Sequence, residues 1–378
     1  MIIKHINGER EFEKLRADWN TLAICSTNEF DWIYSWWMNN KDNNELQILV
    51  AQKDNKILGI APLYINNSTA LKLIPIRKLT FLGGRLSDNI DFFIQEGEQK
   101  EIVFKSLLNH IFEYLKFDLA EFNQINSCCP NFSLWQKYAG QYGLNFEYTV
   151  ESRKIRLSKF NSYEHYFEYL SKNHRKSIRY ANNKIKNDNL KLNYVFKKDI
   201  TKEDIKIVAN INLKRQRYLY NKGDLCRSCY FIDENKKNFI TDYFCSNSSD
   251  KKMLIYMNNN DAPIAYSLSI LSKDTWSYWN GTFDPDYEKY APKKMLTNEI
   301  IKHAFEKQYK IFDFMEGNEP YKADWTNESS QIYNLTTNKS LKAKLVFLSR
   351  KFLPESLLTK PYSADARFIA DENYKIDL

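Results

Sequence analysis

The segment that best indicates the fold is residues 312–325, which read FDFMEGNEPYKADW. It follows a short apolar run from Tyr309 to Phe314 that is typical of a β-strand, and its glycine and proline predict a turn directly after that strand. Strand ends that run into turns are where open α/β sheets place binding and catalytic side chains. The acidic, aromatic and lysine side chains of this turn are therefore candidates for a functional site.

The sequence predicts a cytoplasmic protein, and its basic amphipathic tail leaves a peripheral position at the inner membrane open. The chain has 378 residues, enough for two or three domains. It contains no apolar run near the roughly 18 residues that a spanning helix needs. Its N-terminus lacks the apolar core of a signal peptide. The net charge of +8 favours anionic partners such as phosphates, nucleotides, acidic lipids or nucleic acid.

The six cysteines do not predict a metal site. Cys226 and Cys229 have the spacing of a zinc or redox pair, but only Cys245 lies near them in sequence. A structural zinc ion takes about four ligands, so we expect no metal.

One order of elements, strand–turn–strand–strand–helix–strand, occurs twice. The first copy lies between residues 46 and 122, and the second between residues 253 and 314. A spacing of about 200 residues is too long for a solenoid repeat and fits two copies of one α/β domain. We therefore expect an N-terminal domain over 1–150, a basic helical connector with the start of the second domain over 151–235, a C-terminal domain over 236–335, and a basic amphipathic tail over 336–378.

Basic side chains concentrate in the connector and in the tail. Residues 163–186 and 202–221 have helical spacing of apolar positions, with lysine and arginine on the other faces. These faces are either solvated surfaces or the border of an anion site. Residues 341–358 either lie on a membrane surface or pack back on the body.

Several motifs follow one another in an order and spacing that are similar to a known family. They are the tryptophan-rich run 30–37, the hairpin 49–63, Phe81-Leu82-Gly83-Gly84 with 87–92, the basic run 171–179, residues 279–285, residues 290–294 and the segment 312–325. Together they resemble the CelD/BcsL-type acetyltransferases linked to polysaccharide biosynthesis, a branch of the GNAT superfamily. The resemblance extends to the FemABX transferases, which use aminoacyl-tRNA.

The resemblance implies an α/β (α+β) fold of two tandem GNAT-like domains, each a mixed, mainly antiparallel sheet flanked by helices. The N-terminal copy would be degenerate and the C-terminal copy catalytic. The implied function is an N-acyltransferase that uses acetyl-CoA or another acyl-CoA. It would pass the acyl group directly, in a ternary complex, to an amine of an amino sugar or polysaccharide precursor. One alternative is a FemABX-like transferase that uses charged tRNA, which is the only nucleic acid we expect as a partner. Another is a non-catalytic component of a polysaccharide assembly complex.

The resemblance also indicates the site residues. Catalytic candidates are Glu316, Tyr321, His174 and Asp313. Gly317 is expected to turn the chain and leave Glu316 at the tip, near the acceptor. Donor-binding candidates are Lys293, Lys294, Tyr290 and Ile270, where lysine side chains would replace part of a glycine-rich phosphate cradle because Pro292 has no N–H. Substrate-binding candidates are Asp88, Asp91, Trp279, Asn280, Glu319, Lys322, Trp325, Arg175 and Arg179.

Overall fold

The chain folds into two compact units. The computed structural model describes residues 1–70, 74–247, 249–350, 365–371 and 373–376. The first unit consists of Met1–Ser152 with the described residues between 330 and 358, and the second consists of Arg153–Ser329 with the described residues after 364. Among these described ranges, no helix combines the length and the apolar character that crossing a membrane requires.

The first unit contains two sheets. A four-stranded antiparallel sheet has the order β1-β3-β4-β7, and a second sheet has the order β15-β8-β6-β5-β2 with β9 beside β15. The strands are β1 (Ile2–Ile6), β2 (Asn44–Leu46), β3 (Ile48–Lys53), β4 (Lys56–Ala61), β5 (Leu63–Ala70), β6 (Ile74–Phe81), β7 (Phe93–Ile94), β8 (Leu119–Asn126), β9 (Asn145–Arg156) and β15 (Ser329–Asn338). The helices are α1 (Glu9–Lys14), α2 (Arg16–Leu22), α3 (Phe30–Asn40), α4 (Lys100–Tyr114), α5 (Phe132–Tyr138) and α11 (Leu341–Arg350).

The second unit contains a sheet with the strand order β10-β11-β12-β13-β14. Its strands are β10 (Leu192–Lys197), β11 (Lys252–Asn259), β12 (Ala262–Leu271), β13 (Thr275–Phe283) and β14 (Ile311–Glu316). Its helices are α6 (Tyr163–Tyr169), α7 (Lys172–Asn187), α8 (Lys202–Asn221), α9 (Glu234–Phe244), α10 (Pro292–Glu306) and α12 (Ala366–Ala370). Residues 163–186, predicted as one helix, form two because Ser171 caps α7 by accepting a hydrogen bond from the His174 N–H.

A parallel strand pair occurs in each unit. β6 pairs with β8 over three residues, from Lys78–Leu119 to Thr80–Glu121, and β13 pairs with β14 over three residues, from Thr275–Ile311 to Ser277–Asp313. The ladders β10–β11, β11–β12, β12–β13, β15–β8, β2–β5 and β5–β6 are antiparallel. The predicted mixed, mainly antiparallel α+β architecture is confirmed.

Aromatic side chains fill the core of the first unit. The Trp135 ring lies 4.9 Å from that of Phe92, 5.0 Å from that of Phe104 and 5.4 Å from that of Phe122, and all four side chains are fully buried. Such ring pairs add to the free energy gained from burial alone.

Asp91 lies inside this aromatic core. Its Oδ1 accepts hydrogen bonds from Trp135 Nε1 at 2.8 Å and from the Phe92 N–H at 2.7 Å. Asp88 is also buried, and its carbonyl accepts hydrogen bonds from Thr27 and Asn28. Asp88 and Asp91, which the sequence indicated as substrate-binding candidates, therefore both lie beneath the surface and contribute to packing there.

Burial also changes the acidity of Asp91. Desolvation raises its pKa to about 7, although the hydrogen bonds from Trp135 and Phe92 oppose the shift. Between about pH 4 and pH 7 the folded protein therefore keeps a proton that the unfolded chain has released. The contribution of Asp91 to stability falls as the pH rises through this window, because the buried carboxylate becomes charged.

We expect Asp91→Asn to raise the melting temperature relative to the wild type, and to do so more at about pH 8 than at about pH 5. The amide keeps the shape and the acceptor oxygen and has no charge to bury. Thermal unfolding at the two pH values measures the effect, and an equal change at both values would contradict a buried, proton-retaining carboxyl.

The matched control in the same unit is Asp118→Asn. Burial raises the pKa of Asp118, but hydrogen bonds from the Arg77 N–H and Lys342 outweigh burial and hold the pKa below its usual range. Its stabilising contribution is therefore lost only as the pH falls through the acidic range below about pH 4. The control variant should lose a similar amount of stability at pH 5 and at pH 8.

Candidate functional site

The parallel strands β13 and β14 pair only at their N-terminal ends. Their ladder ends at Ser277 and Asp313, and both strands continue beyond it, to Phe283 and Glu316. A register shift against β12 makes Trp279 an extra residue in β13, since Tyr278 lies opposite Ser269 while Asn280 lies opposite Leu268. We call the parts of the two strands beyond their ladder the strand fork.

The β14 arm of the fork turns earlier than predicted. Met315 has a φ of 61°, a left-handed conformation that is uncommon for residues other than glycine. Asp313 stabilises it, because its Oδ1 accepts a hydrogen bond from the Met315 N–H at 2.8 Å. In a straight strand successive side chains point to opposite faces of the sheet. This alternation ends at Met315, since the neighbouring side chains of Phe314 and Met315 are both buried. Asp313, a predicted catalytic residue, thus holds the backbone, and burial raises the pKa of its carboxyl.

Lys322 holds the turn that follows β14. Only 3% of this residue is exposed, and its ammonium contacts the Glu316 carbonyl at 2.5 Å, the Met315 carbonyl at 3.4 Å and Glu319 Oε2 at 2.9 Å. An ammonium has three N–H donors, and these contacts use all of them. Lys322 and Glu319, both substrate-binding candidates from the sequence, pair with each other in the structure.

Gly317 makes this arrangement sterically feasible. Its φ is 133°, and a Cβ at this position would lie 2.2 Å from Glu319 Oε2 and 2.7 Å from Lys322 Nζ. A larger residue would both strain the backbone and displace the Glu319–Lys322 ion pair.

The first turn of α10 lies beside this region. Ala291 has a φ of 51° at its N-cap, and Pro292 is the first helical residue. The Lys293 ammonium lies 4.2 Å from the centroid of the Tyr321 ring, a cation–π contact. The Lys294 ammonium donates to Ser177 Oγ on α7 at 2.8 Å. The two predicted donor-binding lysines therefore point to different neighbours.

Ion pairs from α8 hold the loop that precedes α10. The Lys214 ammonium lies 2.7 Å from Asp284 and 2.6 Å from Asp286, and the Arg215 guanidinium lies 3.1 Å from Glu288. The sequence left the basic face of residues 202–221 either as a solvated surface or as the border of an anion site, without roles for individual residues. The signal in the sequence that could have indicated these ion pairs is the close spacing of Asp284, Asp286 and Glu288 in the loop.

The charges around Tyr321 affect one another. Burial lowers the pKa of Lys293 to about 8; Glu319 opposes the shift, and Lys322 and Arg215 reinforce it. Burial raises the pKa of Glu319, but Lys322 outweighs this effect and holds the pKa below its usual value. Burial raises the pKa of Tyr321 far above its usual value, so its hydroxyl stays protonated at neutral pH.

His174 and Trp325 meet at the other end of the turn. The imidazole is 4% exposed, and its centroid lies 4.4 Å from that of Trp325 in an edge-on contact. His174 Nδ1 lies 3.6 Å from Asp324 Oδ2. Tyr166 on α6 donates to the Trp325 carbonyl at 2.8 Å, which ties the turn to the helices. The turn thus links the neighbourhood of Tyr321 to His174, and it adds Asp324, which the sequence did not single out.

Other predicted site residues have structural partners. Arg175 donates to the carbonyls of Glu168 and Leu170, and Arg179 lies over the Phe167 ring. Tyr290 donates to Asp188 at 2.7 Å, and Asn280 accepts from the buried Tyr266 hydroxyl at 2.7 Å. The Trp279 ring stacks with Tyr230, and Ile270 is 1% exposed. Among the described residues, no group of three or more His, Cys, Asp or Glu side chains is arranged to hold a metal.

Residues 172–323 match the family model described as "Acetyltransferase (GNAT) domain". The second unit has a GNAT-like fold. The match includes the strand fork, α10 and Lys322. No curated protein is similar enough to the chain to count as a match. The narrower resemblance to the CelD/BcsL-type branch stays a prediction.

Solved structures with this fold resemble nearly the whole chain. FemX matches at 11% identity and a TM-score of 0.60, covering 92% of this chain and 99% of FemX. L-PGS from Bacillus licheniformis matches at 12% identity and a TM-score of 0.55, covering 91% of this chain and 96% of L-PGS. A tandem GNAT protein from the clavulanic acid biosynthesis pathway matches at 8% identity and a TM-score of 0.53, covering 90% of this chain and 99% of the tandem GNAT protein. At these identities the likeness shows the fold alone.

We expect Gly317→Ala to lower the free energy of unfolding by about 1–3 kcal/mol from backbone strain, and by more if the Glu319–Lys322 pair is displaced. Chemical denaturation measures the loss. Gly223→Ala is the matched control in the same unit, since Gly223 has a φ of 99° and a Cβ added there would meet no atom within 4 Å. A loss no larger than that of the control would show that the ion pair does not depend on the absence of a side chain at Gly317.

Proposed function

We propose that the protein is an N-acyltransferase that moves an acyl group from an acyl-CoA, acetyl-CoA in the simplest case, to an amine of an amino sugar or polysaccharide precursor. The observation that supports it most is the strand fork, with Lys293 and Tyr321 beside it, inside the region that matches the GNAT domain model. The transfer is direct, from donor to acceptor, in one ternary complex.

The basic groups near the first turn of α10 suit the donor pyrophosphate. A helix N-terminus attracts anions through its exposed N–H groups and its dipole. Pro292 removes one N–H from that turn, and the Lys293 ammonium supplies positive charge in its place. Lys322 and Arg215 add to the positive potential, since both lower the pKa of Lys293.

Acyl transfer requires two proton movements. The acceptor ammonium must lose a proton before it attacks, and the departing thiolate must gain one. In our proposal Glu316 holds the acceptor amine in place, and the protonated Tyr321 hydroxyl gives its proton to the thiolate. Tyr321 is available for this role because its hydroxyl is protonated at neutral pH and its ring contacts Lys293.

The direct test is turnover with a panel of acyl-CoA donors and amino-sugar acceptors, followed by mass spectrometry of the acylated product. We expect amide formation with at least one donor, and a fall of about 10²–10⁴-fold in kcat for Tyr321→Phe. Absence of both donor binding and transfer across the panel would contradict the proposal and favour a non-catalytic role in an assembly complex.

Donor affinity should depend on pH through Lys293. Because its pKa is about 8 in the free protein, the ammonium loses its charge as the pH rises through that value, and the Kd for CoA should increase. Calorimetric titration of CoA between about pH 7 and pH 9 measures this. Lys293→Met should bind CoA weakly at every pH. The matched control, Lys307→Met, removes the same charge at the exposed end of α10 and should leave the pH dependence intact. An unchanged Kd in Lys293→Met would rule out the role of Lys293.

A FemABX-like transferase that uses charged tRNA is the second candidate. Helix α7 favours it, because residues 172–187 contain Lys172, Lys176, Arg179, Lys184 and Lys186 and no acidic residue. Tyr180, also on α7, is 67% exposed. Such a surface would bind nucleic acid mainly through phosphate contacts, with an affinity that falls steeply as salt is added. Filter binding of charged tRNA at two salt concentrations tests this candidate, and binding that is absent or insensitive to salt would remove it.

We also propose peripheral membrane contact through α11. Leu341, Leu345 and Leu348 are 73%, 58% and 49% exposed and follow one another at helical spacing. An exposed apolar stripe beside lysines is typical of helices that lie on anionic membranes. The rest of the predicted tail segment, residues 351–358, lies outside the described residues.

A further inference from the structure

We infer that His174 accepts the proton released by the acceptor amine and that Asp324 positions it, so that the two residues form a proton relay. This inference rests on the proposed acyl transfer, which needs a proton acceptor. Neither Tyr321, which supplies a proton, nor Glu319, which is paired with Lys322, fits that role.

His174 has a buried nitrogen that makes no hydrogen bond. The residue is 4% exposed, and its Nε2 has no hydrogen-bond partner within the described part of the chain. An imidazole nitrogen buried in this way costs free energy, and such groups tend to persist where they have a functional role. Packing fixes the position of the ring, because Ser171 caps the helix at the His174 N–H and Trp325 packs against the imidazole.

The orientation of the ring suits a proton acceptor. His174 Nδ1 faces the Asp324 carboxylate at 3.6 Å, while the Asp324 side chain is 52% exposed. A carboxylate beside Nδ1 favours the neutral tautomer with the hydrogen on Nδ1, which leaves the lone pair on Nε2 free to accept a proton. A separation of 3.6 Å is long for a hydrogen bond, as is common before substrate binds. His174 thus connects a buried nitrogen to a carboxylate that reaches solvent.

The charges around the ring keep the imidazole neutral. Burial lowers the pKa of His174, Asp324 raises it, and Lys294 on α10 lowers it. Arg175, the next residue of α7, directs its guanidinium to the carbonyls of Glu168 and Leu170. A neutral imidazole at physiological pH is the form that accepts a proton.

The transfer conserves atoms and protons. The acceptor ammonium gives one proton to Nε2, and the free amine attacks the thioester carbonyl carbon. The C–N bond forms and the C–S bond breaks. Tyr321 gives its proton to the departing thiolate and recovers one from the attacked nitrogen. The imidazolium, stabilised by Asp324, releases its proton to solvent after the amide has formed, so the products are an amide, a thiol and one proton.

The kinetic test compares His174→Gln and Asp324→Asn with the wild type. We expect His174→Gln to lower kcat by about 10²–10⁴-fold, because glutamine cannot take up a proton, while the Kd for CoA stays unchanged. We expect Asp324→Asn to move the acidic limb of the kcat profile to lower pH, because the carboxylate that raises the pKa of His174 has been removed. His165→Gln, on the neighbouring α6 and exposed, is the matched control.

A second readout does not require activity. The chain has five histidines, so ¹⁵N-labelled imidazoles can be assigned by single substitutions. We expect neutral His174 to carry its hydrogen on Nδ1 in the wild type, and Asp324→Asn to populate the other tautomer. A hydrogen on Nε2 in the wild type would overturn the inference, as would full activity of a folded His174→Gln. A wild-type protein that transfers no acyl group would instead count against the proposed function. The tautomer of His174 would still show in that case whether Asp324 orients the imidazole.

Discussion

The buried ammonium of Lys322 is the interaction on which the candidate site depends. It joins the last two carbonyls of β14 to Glu319 in the turn that follows. A buried charge is tolerated only when its hydrogen bonds are satisfied, so the turn must keep the shape that supplies these acceptors. That shape in turn requires the left-handed Met315 and the absence of a side chain at Gly317. The positions of Tyr321 and Asp324, which follow within the same turn, depend on the same contacts.

A second set of contacts positions the opposite side of the site. Lys214 and Arg215 on α8 pair with the acidic loop before α10, and that loop ends at the first turn of the helix. Lys293 then packs on Tyr321, while Lys294 bonds Ser177 on α7. These contacts therefore tie the loops of the site to the neighbouring helices and strands. This arrangement suits a reaction in which the protein mainly orients a donor and an acceptor and manages two protons.

The architecture could be predicted from the sequence, whereas much of the side-chain geometry could not. The repeated order of strands and helices and the basic helix 202–221 were visible as patterns. The turn at Met315 was not, because methionine rarely adopts a positive φ and Gly317 was the residue expected to turn the chain. The burial of Asp91 was also hidden, since an aspartate is usually exposed whatever its sequence neighbours. Asp324 could not be singled out from the sequence, because its contact with His174 on α7 joins segments that are far apart in the chain.

The most direct measurement of the proposed donor site is a crystal structure of the protein with a non-hydrolysable acetyl-CoA analogue. We predict that the pyrophosphate lies at the first turn of α10 within reach of Lys293, and that the acyl end enters the strand fork beside Tyr321. An analogue bound elsewhere on the protein, with the strand fork unchanged and empty, would contradict this assignment.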